Sequence, residues 1–167
     1  MKKLATLLLI LLISVSLCAC GALDAGNWTM TGTNKPNLDE SLQLDDFDVS
    51  ANKIQISDGD SFFTPAEGNI FVSVDMKIKN TSDEEVFLTN LNFFECYVDD
   101  AYTDPSLDAG MTFDGGTLFH TVAPDKEISF QYSVECPADS KVIQFKIKSK
   151  WAGDSKDAAL SIDIPSA

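Results

Sequence analysis

The stretch Ile70-Phe71-Val72-Ser73-Val74-Asp75-Met76-Lys77-Ile78-Lys79 decides the fold. Ile70, Val72, Val74, Met76 and Ile78 recur at every second position, while Ser73, Asp75, Lys77 and Lys79 fall between them. Successive side chains of a strand point to opposite faces, so this alternation predicts a half-buried β-strand with one apolar and one wet face. Asn80-Thr81-Ser82-Asp83 supplies the turn residues that end it.

The same period runs outward from this strand in both directions. Ile128-Ser129-Phe130-Gln131-Tyr132-Ser133-Val134-Glu135-Cys136 alternates and stops at Pro137. Val142 to Trp151 places Lys146, Lys148 and Lys150 opposite Phe145, Ile147 and Trp151. Shorter candidates are Phe47 to Ser57, Val86 to Leu88, Asn92 to Val98, Leu118 to Val122 and Ala159 to Ile164, and no window patterns as an amphipathic helix. Seven or eight short strands separated by Gly, Asn, Asp and Pro turns predict an all-β domain over residues 47–167, an antiparallel β-sandwich, with a closed barrel as the alternative.

Three segments also carry a resemblance: Gly68 to Asp83, the Val122-Ala123-Pro124 step, and Phe130 to Pro137. Together they resemble an immunoglobulin-like family of Gram-positive lipoprotein domains of unknown function, similar to telokin and to a secreted immunogenic protein of mycobacteria. The resemblance covers about residues 45 to 165. It implies an immunoglobulin-like sandwich on the cell surface and no catalytic residue, since the family has no agreed active site. Two positions depart from its pattern: Asp125 stands where the family usually has Gly, and Cys136 precedes the closing Pro137.

Upstream, Lys2 and Lys3 precede an apolar run from Leu4 to Ile13, and small residues lead to Leu17-Cys18-Ala19-Cys20. That is a signal peptide over residues 1–20, too short to span a bilayer as a helix, with a lipobox ending at Cys20. Cys18 is the competing lipid site, but Val15 rather than Leu stands three residues before it. Two acyl chains on Cys20 would anchor durably, because each buried methylene contributes about 0.8 kcal/mol and one chain holds only reversibly. The expected location is the extracytoplasmic face of the membrane. Residues 21–46 are rich in Gly, Asn, Thr and Asp and read as a flexible acidic tether, interrupted by Trp28. Such a coil would hold the domain roughly 25 to 30 Å from its anchor.

The formal charge is −14, there is no Arg, and loss of the leader removes two of the lysines. This balance disfavours nucleic acid and anionic lipid as partners. Hydrophobic residues make up 44% of the chain and include 11 Phe, enough for one folded domain.

Chemistry is harder to find. His120 is the only histidine, and no nucleophile motif accompanies it. We therefore expect no catalytic residue and no cofactor, an enzyme built on His120 being the weakest alternative. After processing, Cys96 and Cys136 remain; alternation aims both inward, where they could form a disulfide or stay as separate thiols. A bridge closing about 40 residues would add roughly 3 to 4 kcal/mol in the chain-entropy model. The segment from Asp99 to Asp108, with Asp114 nearby, is the densest acidic loop. Calcium could use its oxygens, though the spacing is not that of an EF-hand and Asp is common in turns. Tyr97, Tyr102, Asp104 and Asp108 interleave aromatic and acidic groups, the mixture that suits a glycan or a basic peptide. The expected function is a membrane-anchored binding or interaction module with an envelope protein, peptide or glycan partner. A structural envelope protein is the alternative.

Overall fold

The computed structural model describes residues 41–113, 119–148, 150–151 and 158–165. The chain divides into two units, Met1–Thr31 and Gly32–Ala167, and the described residues belong to the second. The signal segment, Cys20, Trp28 and most of the expected tether lie outside the described residues, as do Asp114 and Leu118.

Ten strands and two short helices are present among the described residues: β1 (Ser41–Gln43), β2 (Phe47–Ser57), β3 (Asn69–Asn80), β4 (Val86–Thr89), α1 (Asn90–Phe93), β5 (Phe94–Val98), β6 (Ala101–Tyr102), α2 (Leu107–Thr112), β7 (Phe119–Val122), β8 (Glu127–Pro137), β9 (Val142–Ile147) and β10 (Ala159–Asp163). All pairing is antiparallel. One sheet has the order β1-β2-β3-β8 and the other β10-β9-β5-β6, with β4 and β7 as a two-stranded ribbon. The inward residues of both sheets merge into one core with Leu88 and Val122 of the ribbon, so the protein is a β-sandwich.

β3 is the centre of the fold. It pairs with β2 on one side and with β8 on the other, Val72 facing Val134 and Met76 facing Phe130. Its five even-numbered apolar residues are all buried, as the alternation requires. The outward face is less wet than the pattern predicts, since Phe71 and Ser73 are fully buried too. Helix α2 packs across β8 and β3, and the loop from Asp58 to Gly68 is tied to Glu135, whose carboxylate accepts from the Ala66 N–H at 2.9 Å and from Asn69 Nδ2 at 2.8 Å. Under this cover the Ser133 hydroxyl donates to Ser73 Oγ at 2.8 Å, so neither buried hydroxyl is left alone.

Other departures have local causes. The sheet begins at Ser41, inside the stretch read as tether, because Leu42 pairs opposite Val49 and Leu44 is buried against the core. Asn92 and Phe93, expected at the start of a strand, belong to α1. The Thr89 hydroxyl accepts from the Asn92 N–H while the Asn92 side chain accepts from the Thr89 N–H, a reciprocal cap that starts a single turn. The strand expected to reach Trp151 stops at Ile147. Trp151 still turns inward, its ring 5.7 Å from Phe47 and its Nε1 donating to the Asn92 carbonyl at 2.9 Å.

The turn between β7 and β8 explains the departure at Asp125. Its φ of 59° is left-handed, and the Lys126 N–H closes the turn on the Ala123 carbonyl at 3.1 Å. Glycine reaches this conformation without a Cβ clash, although it loses more chain entropy on folding. Asp125→Gly should therefore raise stability by about 0.5 kcal/mol in urea denaturation. A loss would show that the Asp125 carboxylate makes an offsetting bond.

Candidate binding site

The acidic segment that reads as one loop is built as a hairpin followed by a helix. Val98 pairs with Ala101, leaving Asp99 and Asp100 as a two-residue turn at φ 46° and 67°. Positive φ at both positions is the turn that matches strand twist, and Asp tolerates it better than most residues. Asp99 has a second task. Its carboxylate accepts from the backbone N–H groups of Lys141 (3.0 Å) and Val142 (2.9 Å), pinning the turn to the start of β9.

On this pinned hairpin Tyr97 and Tyr102 sit directly opposite each other, rings 5.8 Å apart and nearly perpendicular. The Tyr97 hydroxyl donates to Glu95 at 3.1 Å and the Tyr102 hydroxyl to Asp104 at 2.9 Å. Desolvation and then the Glu95 bond push the Tyr97 phenol up; at Tyr102 the bond to Asp104 is the leading cause. Both hydroxyls therefore stay protonated, their hydrogens directed at carboxylates. Tyr102 is 60% exposed, so the pair offers a ring face, hydroxyl acceptors and two carboxylates on a rigid support. Lys146 stands opposite Glu95 on the neighbouring strand.

Of the four residues expected to form the site, the structure brings Tyr97, Tyr102 and Asp104 together. Asp108 is carried by α2 on the other sheet, one position after Leu107. Sequence reasoning missed Glu95 and the role of Asp99. A residue pair Asp-Asp flanked by alternating Tyr97-Val98 and Ala101-Tyr102 was the available sign of a two-residue hairpin.

The calcium oxygens are distributed rather than convergent: Asp99 holds β9, Asp104 holds Tyr102, and Asp108 lies in the first turn of α2. Among the described residues no group of three His, Cys, Asp or Glu side chains is placed to hold a metal ion. His120 faces inward from β7, its ring 5.7 Å from Phe130. Its Nε2 is buried without a hydrogen-bond partner among the described residues.

Cys96 and Cys136 are both buried, and the structure holds both as free thiols. Burial pushes the Cys96 thiol far up, with Cys136 adding to it, and desolvation also raises Cys136 against the Ser140 hydroxyl. A folded-state value above the ordinary 9.0 leaves this contribution to stability whole below pH 9 and erodes it as pH rises beyond. Urea midpoints should thus fall above pH 9, less steeply in Cys96→Val, and both thiols should alkylate only in denaturant. A thiol pair that resists labelling in denaturant without reductant would be bridged instead.

Fold and site define the class: an antiparallel β-sandwich carrying an aromatic and acidic hairpin at the edge of one sheet. The chain belongs to the DUF4352 family, a domain of unknown function, which matches residues 36–158. No protein of curated function matches it. The structure is similar to ycdA from Bacillus subtilis, a candidate lipoprotein, at 13% identity and a TM-score of 0.59 over 74% of this chain and 38% of that one. It is similar also to yjhA from Bacillus subtilis at 11% identity and a TM-score of 0.56, over 77% and 99% of the two chains. A conserved hypothetical protein from Bacillus anthracis aligns at 12% identity and a TM-score of 0.52, over 75% and 92%. The chain thus spans well under half the length of ycdA. At these identities the likeness is one of fold.

Proposed function

We propose that the protein is an extracytoplasmic lipoprotein, lipidated at Cys20 and tethered to the membrane, whose immunoglobulin-like sandwich is a non-enzymatic binding module of the cell envelope. The lipobox Leu17-Cys18-Ala19-Cys20 supports the address, and the likeness to ycdA, itself a candidate lipoprotein, points the same way. The observation that carries the binding function is the exposed Tyr102 ring set against the half-buried Tyr97, their hydroxyls bonded to Asp104 and Glu95 on a hairpin pinned by Asp99. Ring faces and lone-pair acceptors suit sugar hydroxyls or the amines of a peptide. His120 supports the non-enzymatic reading, because its Nε2 is buried and its ring lies 5.7 Å from that of Phe130.

Two variants test the proposal. Cys20→Ser should move the protein from the membrane to the soluble fraction and abolish labelling by a fatty acid. Retention on purified cell-wall glycan or on a lysine-rich wall peptide should drop about tenfold in Tyr97→Ser, Tyr102→Ser, the effect of losing two aromatic contacts. Equal retention by the double variant would sink the hairpin as the site. A protein that stays soluble and unlabelled with Cys20 intact would sink the anchor.

A further inference from the structure

The cover on the outward face of the first sheet carries a surface that the hairpin does not explain. Phe62 is 87% exposed, Leu107 71% and Met111 65%. Each stands on rigid support rather than at a frayed end. The Asp60 carboxylate accepts from the N–H groups of Phe62 (2.7 Å) and Phe63 (2.8 Å), and these bonds lower its pKa. Gly59 reinforces the turn: at its φ of 94° a Cβ would lie 2.4 Å from the Phe63 carbonyl oxygen. Helix α2 is capped by the Ser106 hydroxyl, which accepts from the Ala109 N–H at 3.2 Å, and Ala109 is fully buried beneath it. Leu107 and Met111 are four residues apart, hence one above the other on the helix face turned away from the sheet.

The two supports are neighbours. The Ser106 N–H donates to the Ser133 carbonyl at 2.8 Å, and the loop from Asp58 to Gly68 is tied to Glu135. Ser133 and Glu135 are successive outward residues of β8, about 7 Å apart at the usual strand rise. The loop that carries Phe62 and the helix that carries Leu107 and Met111 are thus anchored at neighbouring positions of β8.

Charge selects what such a cover accepts. Asp58, Asp60 and Glu67 are exposed on the loop that carries Phe62, and Asp108 is exposed on α2 next to Leu107. No Lys or Arg occurs anywhere in residues 54–76 or 80–125, which contain both supports. Lys53 stands opposite Asp75 on β2, Lys77 is paired with Glu127 at 3.1 Å, and Lys79 and Lys126 are at the end of β3 and β8 away from the loop that carries Phe62. An anionic membrane and a second copy of this acidic chain are both repelled. A complementary occupant brings positive charge together with apolar side chains.

We propose that this cover is a docking surface for a cationic, apolar segment of a protein partner. It goes beyond the hairpin reading, and either can fail without the other. The probe is a fluorescent hexapeptide of alternating Lys and Phe, titrated into the purified full chain and followed by anisotropy, with hexalysine, an alternating Glu and Phe hexapeptide and anionic vesicles as comparison arms. The Lys and Phe peptide should bind, weaken about tenfold as salt rises from roughly 50 to 500 mM, and weaken about tenfold in Phe62→Ser, Leu107→Ser, Met111→Ser. These three side chains are exposed, so the variant should keep its melting temperature. If it does not, Asp58→Asn, Glu67→Gln removes charge alone and should still weaken the peptide. Tyr97→Ser, Tyr102→Ser should leave it unchanged. Equal affinity for hexalysine, binding that survives both sets of substitutions, or a preference for vesicles or for self-association would each overturn the proposal.

Discussion

Phe94→Ala is expected to cost about 4 kcal/mol, the upper part of the range for emptying a buried aromatic site. Phe94 opens β5, is 2% exposed, and touches rings of both sheets: Phe93 at 4.7 Å, Phe130 and Phe145 at 5.7 Å, and Tyr132 at 6.4 Å. These partners are fixed to two strands of opposite sheets, β8 and β9, and to a helical turn, so they cannot collapse together to fill the gap. A domain has roughly 5 to 15 kcal/mol of stability in all, and the loss should lower the melting temperature by about 15 °C. Urea denaturation with an unchanged m-value would read it directly. Tyr102→Ala, a change at the surface, should stay within about 0.5 kcal/mol in the same assay. A loss under about 1.5 kcal/mol at Phe94 would mean that the two sheets do not close on each other as described.

The core positions were legible because burial on one face of a strand writes itself at period two. Ile70 to Ile78, Phe130 to Cys136 and Ile143 to Ile147 need nothing else. What alternation could not announce was cover on the opposite face. Phe71 was the sign: a large apolar side chain among Ser73, Asp75 and Lys77, fully buried on the face across which α2 packs. Both helices escaped notice for a physical reason, since four and six residues are too few to show an apolar stripe. Thr89 and Ser106 cap them, but a Thr or Ser without a following stripe reads equally as part of a turn. The site was half legible. Tyr97, Tyr102 and Asp104 do converge, yet acid density joined Asp108 to them although the chain crosses the edge of β8 before reaching it. Exposure of Phe62, Leu107 and Met111 has no period at all, and only a folded surface displays it.

Asn80 is the second position where a large effect is expected, and its cause is polar rather than apolar. It ends β3 at 0% exposure, and its amide is fully used. Nδ2 donates to the carbonyls of Glu84 (2.7 Å) and Val122 (3.0 Å), while Oδ1 accepts from the Ser82 N–H (3.0 Å) and hydroxyl (2.7 Å). Its backbone bonds Lys126 and Asp125, so one residue joins the end of β3, the following turn and the turn after β7. Asn80→Ala strands several of these groups and should cost about 3 kcal/mol, since an unmet buried polar group costs about 1 to 3. Asn80→Asp keeps the shape yet should do more harm at neutral pH. The carboxylate has no hydrogen to give the Glu84 and Val122 carbonyls and carries a charge into a buried site. Only its protonated form fits, so its folded-state pKa must lie above the unfolded value near 3.9. The variant is then closest to the parent below about pH 4 and loses stability as pH rises through the folded value. Chemical denaturation of the parent and both variants at pH 4 and pH 7 measures the difference. A gap between Asn80→Asp and the parent that does not widen with pH would show that water or a lysine reaches this corner and solvates the charge.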